Sequence, residues 1–223
     1  MNDMLRLVCY NIHGGKDRWG RRYLDQMAEL LQTLEADVIA LQEVHQNSRH
    51  GYQAEMLADR LQLSLTYAPA LQLYDGAYGN ALLSKFPMIR SVNIPLAAKR
   101  EPRSLLKNTL QYGKHEIDVW VTHCSLDRES RRRQLSDIRR EIGQLGSRPL
   151  LIAGDFNTAS PPLCPPLQDC GAGEGASTPT LVTFSRRVDY VFASSDWQVD
   201  RYEVIQQKMS DHYPLLVTLT LPE

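Results

Sequence analysis

The 223-residue sequence predicts a layered α/β fold. Short apolar runs bounded by Gly, Pro or Asn read as buried strands, Leu150 to Ala153 being the clearest. Stretches with apolar residues at helical spacing lie between several of them, so strands and helices alternate along the chain. Polar residues also gather where strands end, at Asn11, Glu43, His123 and Asp155. Open α/β sheets place their sites at strand carboxyl ends.

Leu5 to Tyr10 alternates, with Leu5, Leu7 and Cys9 on one face, and ends at Asn11 before Ile12-His13-Gly14-Gly15. An Asn before a glycine-rich loop is either a turn residue or a group that orients or binds a metal. Arg21 to Glu35 carries Leu24, Met27, Leu30, Leu31 and Leu34, a helical stripe facing a core. Asp37 to Leu41 is a second buried strand, with Glu43 at its mouth. Tyr52 to Leu63 reads as another amphipathic helix. Leu65 to Ala70 and Tyr78 to Ser84 read as strands, the latter containing Gly79-Asn80, and the chain turns at Pro87. Ser104 to Leu110 and Glu116 to Thr122 read as paired strands around Tyr112-Gly113-Lys114, and the second delivers His123.

Ser130 to Leu145 is predicted helical, with Leu135, Ile138, Ile142 and Leu145 turned inward and most of its arginines on a solvated face. Arg131 and Gln134 share a face that can reach toward the His123 loop. After Gly154, alternation puts Asp155 and Asn157 on one side and Phe156 in the core. An acid and an amide at the mouth of a buried strand suit cation-assisted chemistry on an anionic substrate, yet Gly-Asp and Asn are also ordinary turn formers. Ser160 to Pro179, rich in Pro and Gly, reads as irregular. Between Arg186 and Ser194, Val188, Tyr190 and Phe192 share one face and Asp189 and Val191 the other. A buried carboxylate needs a partner, and a His is the usual catalytic one. Trp197 to Gln206 is a mixed strand, and Tyr213 to Leu221 is the last, preceded by Ser210-Asp211-His212.

Apolar residues make up 43% and charged residues 23%, the balance of a soluble globular protein. A net charge of −1 does not indicate a strongly basic body that grips any nucleic-acid backbone. No basic start followed by an apolar run marks a signal peptide, and no stretch reaches the length of a membrane span. These features lead us to expect one domain over residues 1–223 and a cytoplasmic location. Cys9 and Cys124 read as small core residues in strands. Cys164 and Cys170 share a Pro-rich loop and could pair, but without a secretion signal free thiols are favoured.

Taken in order, "YNIHG" at Asn11, "LQEV" at Glu43, "GNALLSKFP" at Asn80, "TH" at His123, "GDFN" at Asp155 and Asn157, "VDYVF" at Asp189 and "SDHYP" at Asp211 and His212 resemble the endonuclease/exonuclease/phosphatase superfamily, with its deoxyribonuclease I-like fold. Each motif alone is weak. The ordered set is specific and spans Leu5 to Leu219. The resemblance implies a four-layer α/β sandwich, two mixed β-sheets packed face to face with helices outside. It also implies a divalent-metal-dependent hydrolase that cleaves phosphodiester bonds by in-line attack of an activated water.

A hard divalent ion neutralises a non-bridging phosphate oxygen and helps the leaving oxygen depart. Mg²⁺ takes one or two protein carboxylates among oxygen ligands, and Mn²⁺ accepts the same donors. On this resemblance Glu43 is the leading carboxylate ligand with Asn11 beside it, and Asp155 and Asp211 complete the expected metal site. Asp155 would position or deprotonate the water, Asn157 would donate to a phosphate oxygen, and His212 would contact the phosphate. Asp189 would hold the His212 ring. His123 would protonate the leaving oxygen, and Asn80 and Arg103 would be further phosphate contacts.

The leading expectation is a small intracellular nuclease, a monomer acting on nucleic acid or another phosphodiester. The alternatives are a phospholipid or sphingomyelin-type phosphodiesterase, a phosphatase of the same fold, and a non-catalytic binding module. Substrate choice is expected to lie in three loops, at 14–22, 71–77 and 160–179.

Overall fold

Two sheets arise from the period-two alternation of apolar residues, and the faces they present explain the layering. A computed structural model describes residues 4–163 and 165–222, so the expectation for Cys164 lies outside the described residues. The strands are β1 (Met4–Asn11), β2 (Val38–Asn47), β3 (Gly51–Tyr52), β4 (Ser64–Leu73), β5 (Gly76–Ser84), β6 (Met88–Leu96), β7 (Arg103–Tyr112), β8 (His115–His123), β9 (Leu150–Asp155), β10 (Gln168–Asp169), β11 (Asp189–Ala193), β12 (Gln198–Val204) and β13 (Leu215–Thr220). The helices are α1 (Leu24–Thr33), α2 (Gln53–Leu61) and α3 (Arg128–Gly143).

One sheet has the order β12-β13-β1-β2-β5-β4, with β3 paired to β2, and the other β10-β11-β9-β8-β7-β6. Each sheet holds one parallel pair, β1 with β2 and β8 with β9. A parallel pair needs a crossover connection, and α1 and α3 are those crossovers.

Leu5, Leu7 and Cys9 of β1 face the second sheet and pack with Val119, Val121, Leu151, Ala153 and Val191. The alternate residues Val8 and Tyr10 meet Met27 and Leu31 of α1 and Leu57 of α2. On the far side Trp120, Ile152 and Phe192 meet Leu135, Ile138 and Ile142 of α3. The layers are therefore α1 with α2, sheet, sheet, and α3, the four-layer sandwich that the motifs imply. Among the described residues no helix is long and apolar enough to cross a membrane.

Several boundaries differ from the sequence expectation, each for a local reason. The first helix begins at Leu24 rather than Arg21, because Lys16 and Arg22 pair as an isolated antiparallel bridge and Asp17 Oδ1 accepts the Trp19 and Arg21 N–H groups. The third begins at Arg128 rather than Ser130, because Asp127 is its N-cap and accepts the Ser130 N–H at 2.9 Å. Such a cap contributes about 1 kcal/mol. Residues 71–77 are not a loop: β4 and β5 run through them to a hairpin closed at Leu73 and Gly76. The edge strand β6 escapes the sequence pattern because most of its residues are exposed and it contains Pro95, which an edge strand tolerates. Cys9 lies within β1 and Cys124 one residue past β8, and both are buried.

Candidate active site

The alternation that builds the inter-sheet core also brings polar groups to its rim. In β1 the inward row Leu5, Leu7, Cys9 ends in Asn11. In β8 and β9 the rows Val119, Val121 and Leu151, Ala153 end in His123 and Asp155, which are register partners. In β11 the row of Val191 begins at Asp189, the antiparallel partner of Asp155. Directly opposed residues in a sheet share a face, so His123, Asp155 and Asp189 stand side by side.

Gly154 makes the β8–β9 approach possible, since a Cβ there would lie 2.1 Å from Thr122 O. Phe156 turns into the core beneath α3, at T-shaped contact with Phe192. Glu43 is not at a strand end as expected from sequence. It lies inside β2, at a bulge between Leu41 and Val44 with φ +58°. Bulges re-aim side chains, and this one turns Glu43 to Asn11.

Asp155 is the hub. Its Oδ2 accepts Asn11 Nδ2 at 3.1 Å and lies 3.4 Å from His123 Nε2 and 3.6 Å from His212 Nε2. Its Oδ1 accepts the Asn157 N–H at 2.9 Å. Asn11 Nδ2 also donates to Glu43 Oε1 at 3.0 Å. His212 Nδ1 meets Asp189 Oδ2 at 2.8 Å. Asp155, Asp189 and His212 each offer a ligand atom within 4.8 Å of the others. Asn157, at φ +51°, donates to Cys124 O at 2.9 Å and stands 3.2 Å from His123 Nε2.

Burial and the charge of Asp189 push the Asp155 carboxyl up to about 7. Burial alone would lower the His212 imidazole, but the carboxylates of Asp189 and Asp155 hold it at about 10. Burial, with the charges of Arg103 and His212, drives His123 well below its ordinary value. The site at neutral pH thus pairs a charged imidazole with a neutral one around a carboxyl poised near neutrality.

Asp211 stands at the edge of this group with its Oδ1 2.7 Å from His13 Nδ1. Ser210 Oγ donates to Asn11 O at 2.8 Å and accepts the His212 N–H at 3.2 Å, tying the last loop to β1. Asn80 Nδ2 donates to Ser104 O at 3.2 Å. Arg103 is buried, ion-paired with Glu101, and close enough to act on the His123 charge. The expected reach of helix α3 toward His123 holds: Gln134 Oε1 accepts the Ser125 N–H at 2.8 Å, and Arg131 Nη1 donates to Ser125 O at 3.0 Å.

No sequence motif assigns a role to His13 or Tyr78. The Tyr78 hydroxyl lies close enough to Glu43 to feel the charge of its carboxylate. The signal for His13 was its place two residues after Asn11; for Tyr78 there was none, since a hairpin Tyr reads as packing.

Asn11 Nδ2 is shared between Glu43 Oε1 and Asp155 Oδ2, and Asp189 Oδ1 is buried with no hydrogen-bond partner among the described residues. A surplus of hard oxygen atoms with too few donors fits a divalent cation.

The chain is 29% identical over 168 residues to the uncharacterized protein YbhP of Escherichia coli K12, covering 68% of this chain and 66% of YbhP, just under two thirds of its length. The fold is similar to that of the mannosyl-6-phosphatase Bt3783 of Bacteroides thetaiotaomicron, with a TM-score of 0.80 at 17% identity, covering 96% of this chain and 99% of that one. It is also similar to D. rerio TDP2 complexed with single strand DNA product, with a TM-score of 0.77 at 17% identity, covering 98% and 99%. Residues 8–212 match the model of one family, so the chain belongs to the Endonuclease/Exonuclease/phosphatase family.

Proposed function

We propose that this chain hydrolyses phosphoesters with the help of a divalent cation, and that phosphodiesters of nucleic acid are its first substrates. Members of the superfamily are phosphoesterase hydrolases, typically dependent on a divalent metal. The observation that carries the reading is the convergence of Asn11, His123 and His212 on one buried carboxylate, Asp155, whose pKa stands near 7.

Glu43 and Asn11 would hold the cation, with Asp211 beside them, and it would supply charge to the phosphate and to the leaving oxygen. We place it there rather than within the Asp155, Asp189 and His212 group, because Asp189 Oδ2 is committed to His212 Nδ1 and the His212 ring carries positive charge. Asp155 orients water for in-line attack and takes its proton, since a base works best with a pKa near the operating pH. His212, held by Asp189, contacts the phosphate and offsets charge as it builds. Asn157 donates to a phosphate oxygen, Asn80 and Arg103 contact the phosphate further out, and His123, neutral in the free site, would take up a proton beside the anionic phosphate and give it to the leaving oxygen.

The test is a hydrolysis screen with single-stranded DNA, duplex DNA, RNA, bis-p-nitrophenyl phosphate, a phosphomonoester and sphingomyelin. Each is run with Mg²⁺, Mn²⁺ or chelator, beside the Asp155→Ala variant. Nucleic-acid cleavage that needs both cation and Asp155 is expected. Cleavage of lipid or monoester alone would move the chain to another substrate class, and turnover unchanged in the variant would remove Asp155 from the mechanism.

A further inference from the structure

A separate pocket of about 270 Å³ opens beside the candidate site, between the 3-10 turn His13–Gly15, α1 and α2. Lys16, Arg22, His50 and Gln53 line it together with Gly14 and Gly15. Lys16 and Arg22 are brought side by side as partners of the antiparallel bridge. Neither has an ion-pair partner among the described residues. Asp25, on the same rim, is engaged by Arg60 and does not neutralise them. The whole chain carries a net charge of −1, so this paired positive charge is a local feature.

The walls are held rigidly. Gln53 is buried, donates Nε2 to Gly14 O at 2.7 Å and accepts the His45 N–H at 2.9 Å. His50 stacks on His45 with ring centroids 4.2 Å apart, and its Nδ1 is 3.2 Å from Asn47 Oδ1. Gly14, at φ +61°, is required here because a Cβ would lie 2.9 Å from the His45 ring. Burial, with the charges of Lys16, Arg49 and Arg22, holds the His50 imidazole below its ordinary range, a sign of positive potential at this spot.

The pocket floor belongs to the same turn as His13, which meets Asp211. Gly14 follows Asn11 by three residues, which places the two within about 11 Å. We infer that this pocket binds a second phosphate group of the substrate, one other than the phosphate that is hydrolysed. The inference rests on the phosphoester reading above. Two guanidinium or ammonium groups on a concave wall are the chemistry that holds a phosphate dianion. The second phosphate belongs either to the next unit of a polynucleotide or to a small molecule phosphorylated twice.

Calorimetric titration with inorganic phosphate, in chelator, tests the pocket without any turnover. Wild type should bind phosphate saturably at this pocket, with a Kd of roughly 1 mM. The Lys16→Ala/Arg22→Ala double variant should bind at least tenfold more weakly, and Asp155→Asn as well as wild type. No saturable binding in wild type, or equal binding in the double variant, would overturn the inference whether or not the hydrolysis screen succeeds.

A kinetic arm names the source. On bis-p-nitrophenyl phosphate, which has one phosphate, the double variant should match wild type. A dinucleotide with a 5′-phosphate is compared with its 5′-hydroxyl form, and a sugar bisphosphate with the monophosphate. In one of these pairs wild type should show a roughly tenfold lower KM for the member with the extra phosphate, a preference lost in the double variant. Absence of preference in both pairs would count against the site.

Discussion

Asp189 illustrates how one side chain is set by burial and charge. One oxygen orients the His212 ring and the other has no hydrogen-bond partner among the described residues. In Asp189→Asn the imidazole loses its nearest negative charge. We expect kcat at neutral pH to fall about 100-fold or more, the scale of acid–base catalysis. The His212 proton, now held at about 10, would leave at lower pH, so the alkaline limb of the pH–rate profile should shift toward neutrality. An unmoved limb would remove the Asp189–His212 pair from the rate-determining chemistry.

Tyr78 acts one step further out, through Glu43. Tyr78→Phe should raise the Mg²⁺ concentration for half-maximal activity about tenfold, as loss of such outer partners does, with kcat at saturating Mg²⁺ retained. A metal titration checks this. Asp155 and Asn157 were legible from alternation after an apolar strand. His13 and Tyr78 were not, because a turn and a hairpin distant in sequence bring them to Asp211 and Glu43.

Elements carry the next level of order. The parallel contact of β8 and β9 sets His123 beside Asp155, and it depends on Gly154 having no side chain. Gly154→Ala should cost about 3 kcal/mol, the upper part of the usual overpacking range. Thermal denaturation should show a lower Tm, and turnover should fall because the register partners separate. A variant of normal Tm would mean that the strands accommodate a methyl group at no cost. The buried strands were readable because their apolar alternation is strong. Glu43 was placed at the mouth of a strand that in fact continues through a bulge, since a bulge breaks the period-two pattern. Helix α3 begins two residues before its apolar stripe implies, because its start rests on the Asp127 cap.

Across the whole molecule the site lies at the rim of the layer between the sheets, while Trp120 is buried on the outer face under α3. Trp120→Ala should destabilise by about 3–5 kcal/mol yet leave kcat within about twofold below the new melting transition, because the inner rows that end in His123 and Asp155 are intact. A large kcat loss at low temperature would show that the layers do not act independently. The sequence by itself determined the alternation of strands and helices, the inward faces, and the ordered motifs at strand edges, because burial imposes its period on neighbouring residues. Only the tertiary structure decided that Asn11, from one sheet, meets Asp155, from the other, and it gave the expected Asp189–His212 pair its geometry. It alone brought Lys16, Arg22 and His50 around one pocket. The Asn11 and His212 contacts join residues far apart in the chain, and the face-to-face packing of two sheets, which no local pattern encodes, brings them within bonding distance; the pocket forms where the turn at residues 13–15 meets α1 and α2.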